Sequence, residues 1–112
     1  MEEYLRLIPR QNEKIELKKI NGKFYLLIPM DSPFDFLAKR VHGEYRRVEL
    51  DEYGVFVWEL CDGSRTVKEI GKKLKERFGD SVEPLYERLV TFLLELYKRN
   101  LISFGESHES RS

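Results

Sequence analysis

The sequence predicts an α+β fold, a small three-stranded antiparallel sheet packed on a three-helix core of winged-helix type. Three observations predict it. Asn21-Gly22 lies between two alternating apolar runs, the strongest short-range signal for a hairpin. A third alternating run follows at 44–50. Three amphipathic, capped segments then succeed one another across 51–99, the first two joined over Asp62-Gly63-Ser64-Arg65.

Each element has a local reason. If Asn21-Gly22 is a two-residue loop, the hairpin spans 15–28 and sets Leu17 opposite Leu26, Ile15 opposite Ile28 and Lys19 opposite Phe24. Ile15, Leu17, Phe24, Leu26 and Ile28 then share one face, with Glu16 and Lys18 on the other. Pro29 ends the second strand. Ser32-Pro33 reads as the start of a short helix over 32–41, with Ser32 as N-cap and Gly43 after its end. In the third strand Arg46, Val48 and Leu50 alternate with Tyr45, Arg47 and Glu49.

The first core helix, 51–61, is capped by Asp51, carries Tyr53, Phe56, Val57, Leu60 and Cys61 on its apolar face, and has Gly63 as its terminator. Trp58 falls off that stripe and reads either as a second buried face or as an interface anchor. The second helix, 67–78, opens on the capping box Thr66-Val67-Lys68-Glu69 and ends at Gly79. Pro84 opens the third, 84–99, with Leu85, Leu89, Phe92, Leu93 and Leu96 facing inward. A short extended piece follows at 101–104. Residues 1–12, of weak periodicity, read as a loosely attached arm, 13–104 as the folded domain, and 105–112 as a disordered polar tail.

Composition bounds the function. A chain of 112 residues, 41% hydrophobic and 36% charged, suits one globular domain with a single core. Twenty basic residues balance twenty acidic ones, so the broad positive field of nonspecific nucleic-acid or anionic-membrane binding is missing. The single cysteine excludes an internal disulfide, and no apolar run approaches the ~18 residues of a membrane span. A soluble cytoplasmic protein is the simplest expectation.

Catalysis has no visible basis in the letters. Cys61 lies on an apolar helix face, His42 and His108 have no evident partners, and Asp51 and Glu52 are explained by capping. No metal-ligand spacing or phosphate loop is present, so no cofactor and no metal are expected. Nucleic acid is a rival partner, because winged helices commonly bind it through the third helix. That helix begins with Glu83 and Glu87 against Arg88 alone. The basic residues of the second helix, from Lys68 to Arg77, interleave with Glu69 and Glu76 as a solvated face would. A third alternative is a homodimer in which two third strands satisfy each other's edges.

The order of elements is joined here by particular residues. Leu50-Asp51-Glu52 leads into Val57-Trp58-Glu59-Leu60-Cys61-Asp62-Gly63, then Arg65-Thr66-Val67-Lys68-Glu69-Ile70, and Phe92-Leu93-Leu94-Glu95-Leu96 precedes Asn100-Leu101-Ile102. In this the chain resembles the PqqD family, also called the RiPP recognition element, over residues 15–104. The segment DG-x-R-T-V-x-E-I is the most specific part, and its residues are mostly caps and core. The chain departs from PqqD by inserting DSPFDFLAKRVHG between the second and third strands.

The resemblance implies a non-catalytic peptide-binding protein of the coenzyme PQQ biosynthesis family. In such proteins the leader of a ribosomal precursor peptide adds as a strand beside the third strand, in a groove shared with the third helix. It is presented there to a modifying enzyme, often of the radical S-adenosylmethionine type. Carried over by position, the strand edge is Tyr45, Arg46, Arg47, Val48 and Glu49, and the helix wall is Leu85, Arg88, Leu89 and Phe92. Read from the residues alone, Arg46 and Arg47 are first of all solvated guards of an edge, and Leu85, Leu89 and Phe92 core rather than groove. If the arginines face a leader, they select an acidic one.

Overall fold

The computed structural model describes residues 2–29 and 45–106. The expected helix over 32–41 and the tail beyond 106 lie outside these. Numbering the described elements in order, the chain runs α1 (Glu2–Leu5), β1 (Leu7–Gln11), β2 (Glu16–Ile20), β3 (Lys23–Pro29) and β4 (Tyr45–Leu50). It continues through α2 (Glu52–Leu60), α3 (Val67–Phe78), a single 3-10 turn (Gly79–Val82), α4 (Leu85–Lys98) and β5 (Ile102–Glu106). These form two compact units, one of Glu13–Val55 and one of Met1–Asn12 with Phe56–Ser112.

In the first unit, β2, β3 and β4 form an antiparallel sheet in that order, three strands joined edge to edge. The turn behaves as its residues require. Asn21 and Gly22 adopt φ of 52° and 81°, the left-handed pair of a type I′ turn, and neither position suits a β-branched residue. The register then sets Leu17 against Leu26 and Lys19 against Phe24. Leu26 and Leu50 are buried, and Lys19 lies over the Phe24 ring at 5.6 Å on the same face. On the other face the Arg47 guanidinium lies 5.3 Å from the Tyr25 ring centroid.

The second unit is helical with a two-stranded ribbon. Asp51, still in the first unit, starts α2, its Oδ1 accepting from the Gly54 amide at 2.8 Å, and the helix runs on into the second unit from Phe56. Val57, Trp58 and Cys61 are all buried, so Trp58 belongs to a second buried face of this helix. Phe56 meets Phe78 of α3 edge-to-face, centroids 5.6 Å apart. The capping box of α3 is complete: the Thr66 hydroxyl accepts from Glu69 N at 3.2 Å, and the Glu69 carboxylate accepts from Thr66 N at 2.8 Å. Val67, Ile70, Gly71 and Leu74 make the buried stripe of α3, and Leu89, Val90, Leu93 and Leu96 that of α4.

Three expectations are corrected here. The amino-terminal residues are a short helix and a strand, with β1 paired antiparallel to β5 from Leu7–Glu106 to Gln11–Ile102. A proline in the middle of a segment argues against a strand, yet Pro9 is buried within β1. The register explains it. The Asn12 amide bonds the Leu101 carbonyl, so even-numbered residues of β1 turn their backbone to β5, and Pro9 turns away from it. On that far side only the Pro9 carbonyl is used, accepting from Gly63 N at 3.0 Å, so the missing N–H costs no bond to β5. Gly63 is likewise no helix terminator. The helix stops at Leu60, and 61–63 runs beside β1, with Gln11 N bonding Cys61 O at 2.9 Å and Arg10 bridging Asp62. The extended piece expected at 101–104 is β5, which runs on to Glu106 and shortens the polar tail.

Candidate functional site

The expected site residues divide between the two units, and each group is described in its own. In the sheet, β4 is an end strand, with β3 on one side and no described strand on the other. Which of its backbone groups face outward follows from the turn. A two-residue hairpin loop makes Ile20 and Lys23 a hydrogen-bonded pair, so odd-numbered residues of β3 bond β2 and even-numbered ones bond β4. Phe24, Leu26 and Ile28 therefore bond Leu50, Val48 and Arg46, their partners in the register. The N–H and C=O groups of Tyr45, Arg47 and Glu49 point away from the sheet.

No proline interrupts this row, so all three outward amides can donate. Arg46, Arg47 and Glu49 are exposed, and Val48 is half-buried. Val48 pairs with buried Leu26 on the apolar face, while Arg47 and Glu49 occupy the opposite face with Tyr25. The edge thus alternates, one side chain toward the apolar face and the next toward solvent.

On α4, Leu85 and Phe92 are half-buried and Arg88 is exposed, its Nη1 donating to the Ser81 carbonyl at 2.9 Å. Leu89 has no exposed surface and belongs to the interior of its unit. The amino end of the helix is fixed by charge. Lys75 Nζ donates to Asp80 Oδ1 at 2.7 Å and to Glu83 Oε2 at 2.6 Å, which ties α3 to the start of α4. These bonds hold both carboxyls below the usual carboxylate range and push the Lys75 ammonium up.

A close crossing, not foreseen from the sequence, sets α4 against α3. At Gly71 an added Cβ would sit 2.3 Å from Tyr86 Cε1, and the Tyr86 hydroxyl donates to the Lys68 carbonyl at 3.0 Å. The glycine permits the ring to lie on the helix backbone. Its only sequence signal is a glycine inside the apolar stripe of α3, where alanine would favour the helix by about 1 kcal/mol.

The one cysteine is buried, and burial, with the Asp62 carboxylate beside it, pushes its thiol up to about 12. It is therefore a packing residue at neutral pH. Among the described residues no group of three or more His, Cys, Asp or Glu is placed to hold a metal, and no helix is long and apolar enough to cross a membrane.

Comparison with known proteins settles the family. Residues 37–102 match the family model described as coenzyme PQQ synthesis protein D (PqqD). The chain belongs to the PqqD family. The matched span takes in β4, all three core helices and the first residue of β5, and leaves the β2–β3 hairpin and β1 outside it. No curated protein and no solved structure matches the chain.

Proposed function

We propose that this PqqD-family protein is a non-catalytic accessory of peptide modification, which captures the leader of a ribosomal precursor peptide as a strand along β4. It then presents that peptide to a modifying enzyme of the radical S-adenosylmethionine type. The observation that carries the reading is the outward row of Tyr45, Arg47 and Glu49 at the end of the sheet. An extended peptide recognises such an edge by main-chain hydrogen bonds, and side-chain contacts give it specificity.

Magnitudes say how the work is shared. Each backbone bond contributes about 0.5–1.5 kcal/mol net, so a ladder of four or five supplies a few kcal/mol before ordering costs. Burying one Leu-sized anchor contributes about 1.5–3 kcal/mol, so two anchors equal the ladder. Within its own unit, α4 keeps exposed surface at Leu85 and Phe92, with Leu89 supporting the helix from within. Arg46 and Arg47 favour acidic residues in the leader. Glu83 and Glu87, exposed at the start of α4, weigh against nucleic acid as the partner of that helix.

The test uses two proline variants and a panel of synthetic acidic leader peptides. Arg47→Pro deletes an outward N–H without touching the β3 ladder, so the fold stays and leader affinity falls by about two- to tenfold, the loss of one backbone bond. Val48→Pro deletes an inward N–H and destabilises the sheet itself. Undiminished leader binding by a folded Arg47→Pro variant would refute strand addition at β4.

A further inference from the structure

Among the described residues, Tyr4 and Tyr97 are the large apolar side chains left exposed, at 38% and 50%. They come from opposite ends of the chain, yet both border one face of the second unit. Tyr97 lies against Phe104, their ring centroids 5.2 Å apart. Phe104 and Tyr4 in turn line a shallow apolar depression of about 160 Å³, whose floor includes Val90 and Leu94 of α4. No charged residue lines it. Tyrosine presents a large, rigid body with a polar tip, which is why it is enriched where proteins meet.

Charge polarises this face along α4. Tyr4 shares the depression with Val90 and Leu94, and Tyr97 stands one turn beyond Leu94, so the two tyrosines mark opposite ends of the face. At the Tyr4 end, Glu2 and Glu3 belong to the same short helix, and Glu106 pairs across the ribbon with Leu7; Arg6 stands against them. At the Tyr97 end, Lys98 and Arg99 follow in the chain, with Glu95 lying 3.7 Å from the Lys98 ammonium. Every one of these charged residues is exposed. One end is therefore acidic on balance and the other basic.

We propose that this face binds a second copy of the chain, about a two-fold axis that passes beside Leu94 and sets the two α4 helices antiparallel. Such an axis exchanges the ends of the face. Tyr97 of one copy then meets Tyr4 of the other, and Lys98 and Arg99 meet Glu2 and Glu3. The antiparallel helix dipoles agree with this arrangement. A parallel one would set acid on acid and base on base. A partner of uniform charge, such as nucleic acid, would match one end and oppose the other. The apolar centre is a few side chains from each copy, so the dimer is weak and reversible.

The inference stands apart from leader capture at β4, and the test keeps them separate. Sedimentation of the full chain between about 10 µM and about 1 mM should show reversible exchange of monomer and dimer. Tyr97→Glu places a charge in the apolar centre and should raise the dimer Kd about tenfold or more. Two double variants test the polarity. Glu2→Lys with Glu3→Lys, and Lys98→Glu with Arg99→Glu, each set like charges together and should each weaken the homodimer about tenfold. Mixed in equal amounts, they should pair as a heterodimer of the original strength, because each then meets opposite charge. Circular dichroism verifies that every variant folds. A chain monomeric throughout, Tyr97→Glu dimerising as tightly as the parent, reversals that weaken nothing, or a mixture no tighter than its components would each overturn the proposal. So would a dimer that Arg47→Pro dissociates, since β4 would then be the interface.

Discussion

Replacing Gly71 by alanine is the sharpest test of the packing that holds α4. Two effects oppose each other. Alanine favours a helix interior over glycine by about 1 kcal/mol. The new methyl, however, would lie 2.3 Å from Tyr86 Cε1, more than 1 Å inside ordinary contact, and 2.9 Å from its hydroxyl oxygen. The ring must leave, which costs about 1–3 kcal/mol of packing strain or lost contact, and about 0.5–1.5 kcal/mol for the bond to the Lys68 carbonyl. The collision wins, and Gly71→Ala should destabilise by about 1–3 kcal/mol. In a Tyr86→Ala background the obstacle is gone, so the same change should stabilise by up to about 1 kcal/mol. Urea denaturation of the four proteins of this double-mutant cycle measures both signs. A stabilising Gly71→Ala in the presence of Tyr86, or the same effect in both backgrounds, would refute the argument.

Further outcomes follow from the caps and the buried thiol. Thr66→Ala should cost about 1 kcal/mol of stability, read from the denaturation midpoint, because it leaves the Glu69 amide without its cap. The Thr66 amide holds the Glu69 carboxyl below the ordinary glutamate range, so the folded pKa is the lower of the two. That contribution is complete above the ordinary glutamate range and is lost as pH falls through the folded value, so acid titration of stability should be shallower in Glu69→Gln. Cys61, with its thiol near 12, should resist iodoacetamide at pH 8 in the folded protein and react promptly in urea.

Much of this fold was legible because its signals are local. Asn21-Gly22 fixed a register that Leu17 and Leu26 obey, and Thr66 with Glu69 marked the start of α3 within four residues. The ribbon was not legible, because β1 and β5 are partners from opposite ends of the chain. Weak periodicity over residues 1–12 concealed one of them, and its Pro9 is acceptable in a strand only because its nitrogen faces no ladder, which depends on the partner. Gly63 misled for a related reason. Its φ of 82° suits a helix end, but the conformation serves the stretch that runs beside Pro9. Of the candidate site, the β4 edge was readable from the alternation Arg46-Arg47-Val48-Glu49. Whether Leu89 faced a groove or the interior was not, because a helical stripe has the same spacing in either role, and the structure buries it.

Amide hydrogen exchange along β4 tests the central claim most directly. In the free protein, Arg46, Val48 and Leu50 should be protected by β3 while Tyr45, Arg47 and Glu49 exchange freely. Adding the leader peptide should protect those three and leave the inward set as it was. Leader binding that leaves all three exchanging at their free rates would contradict the account.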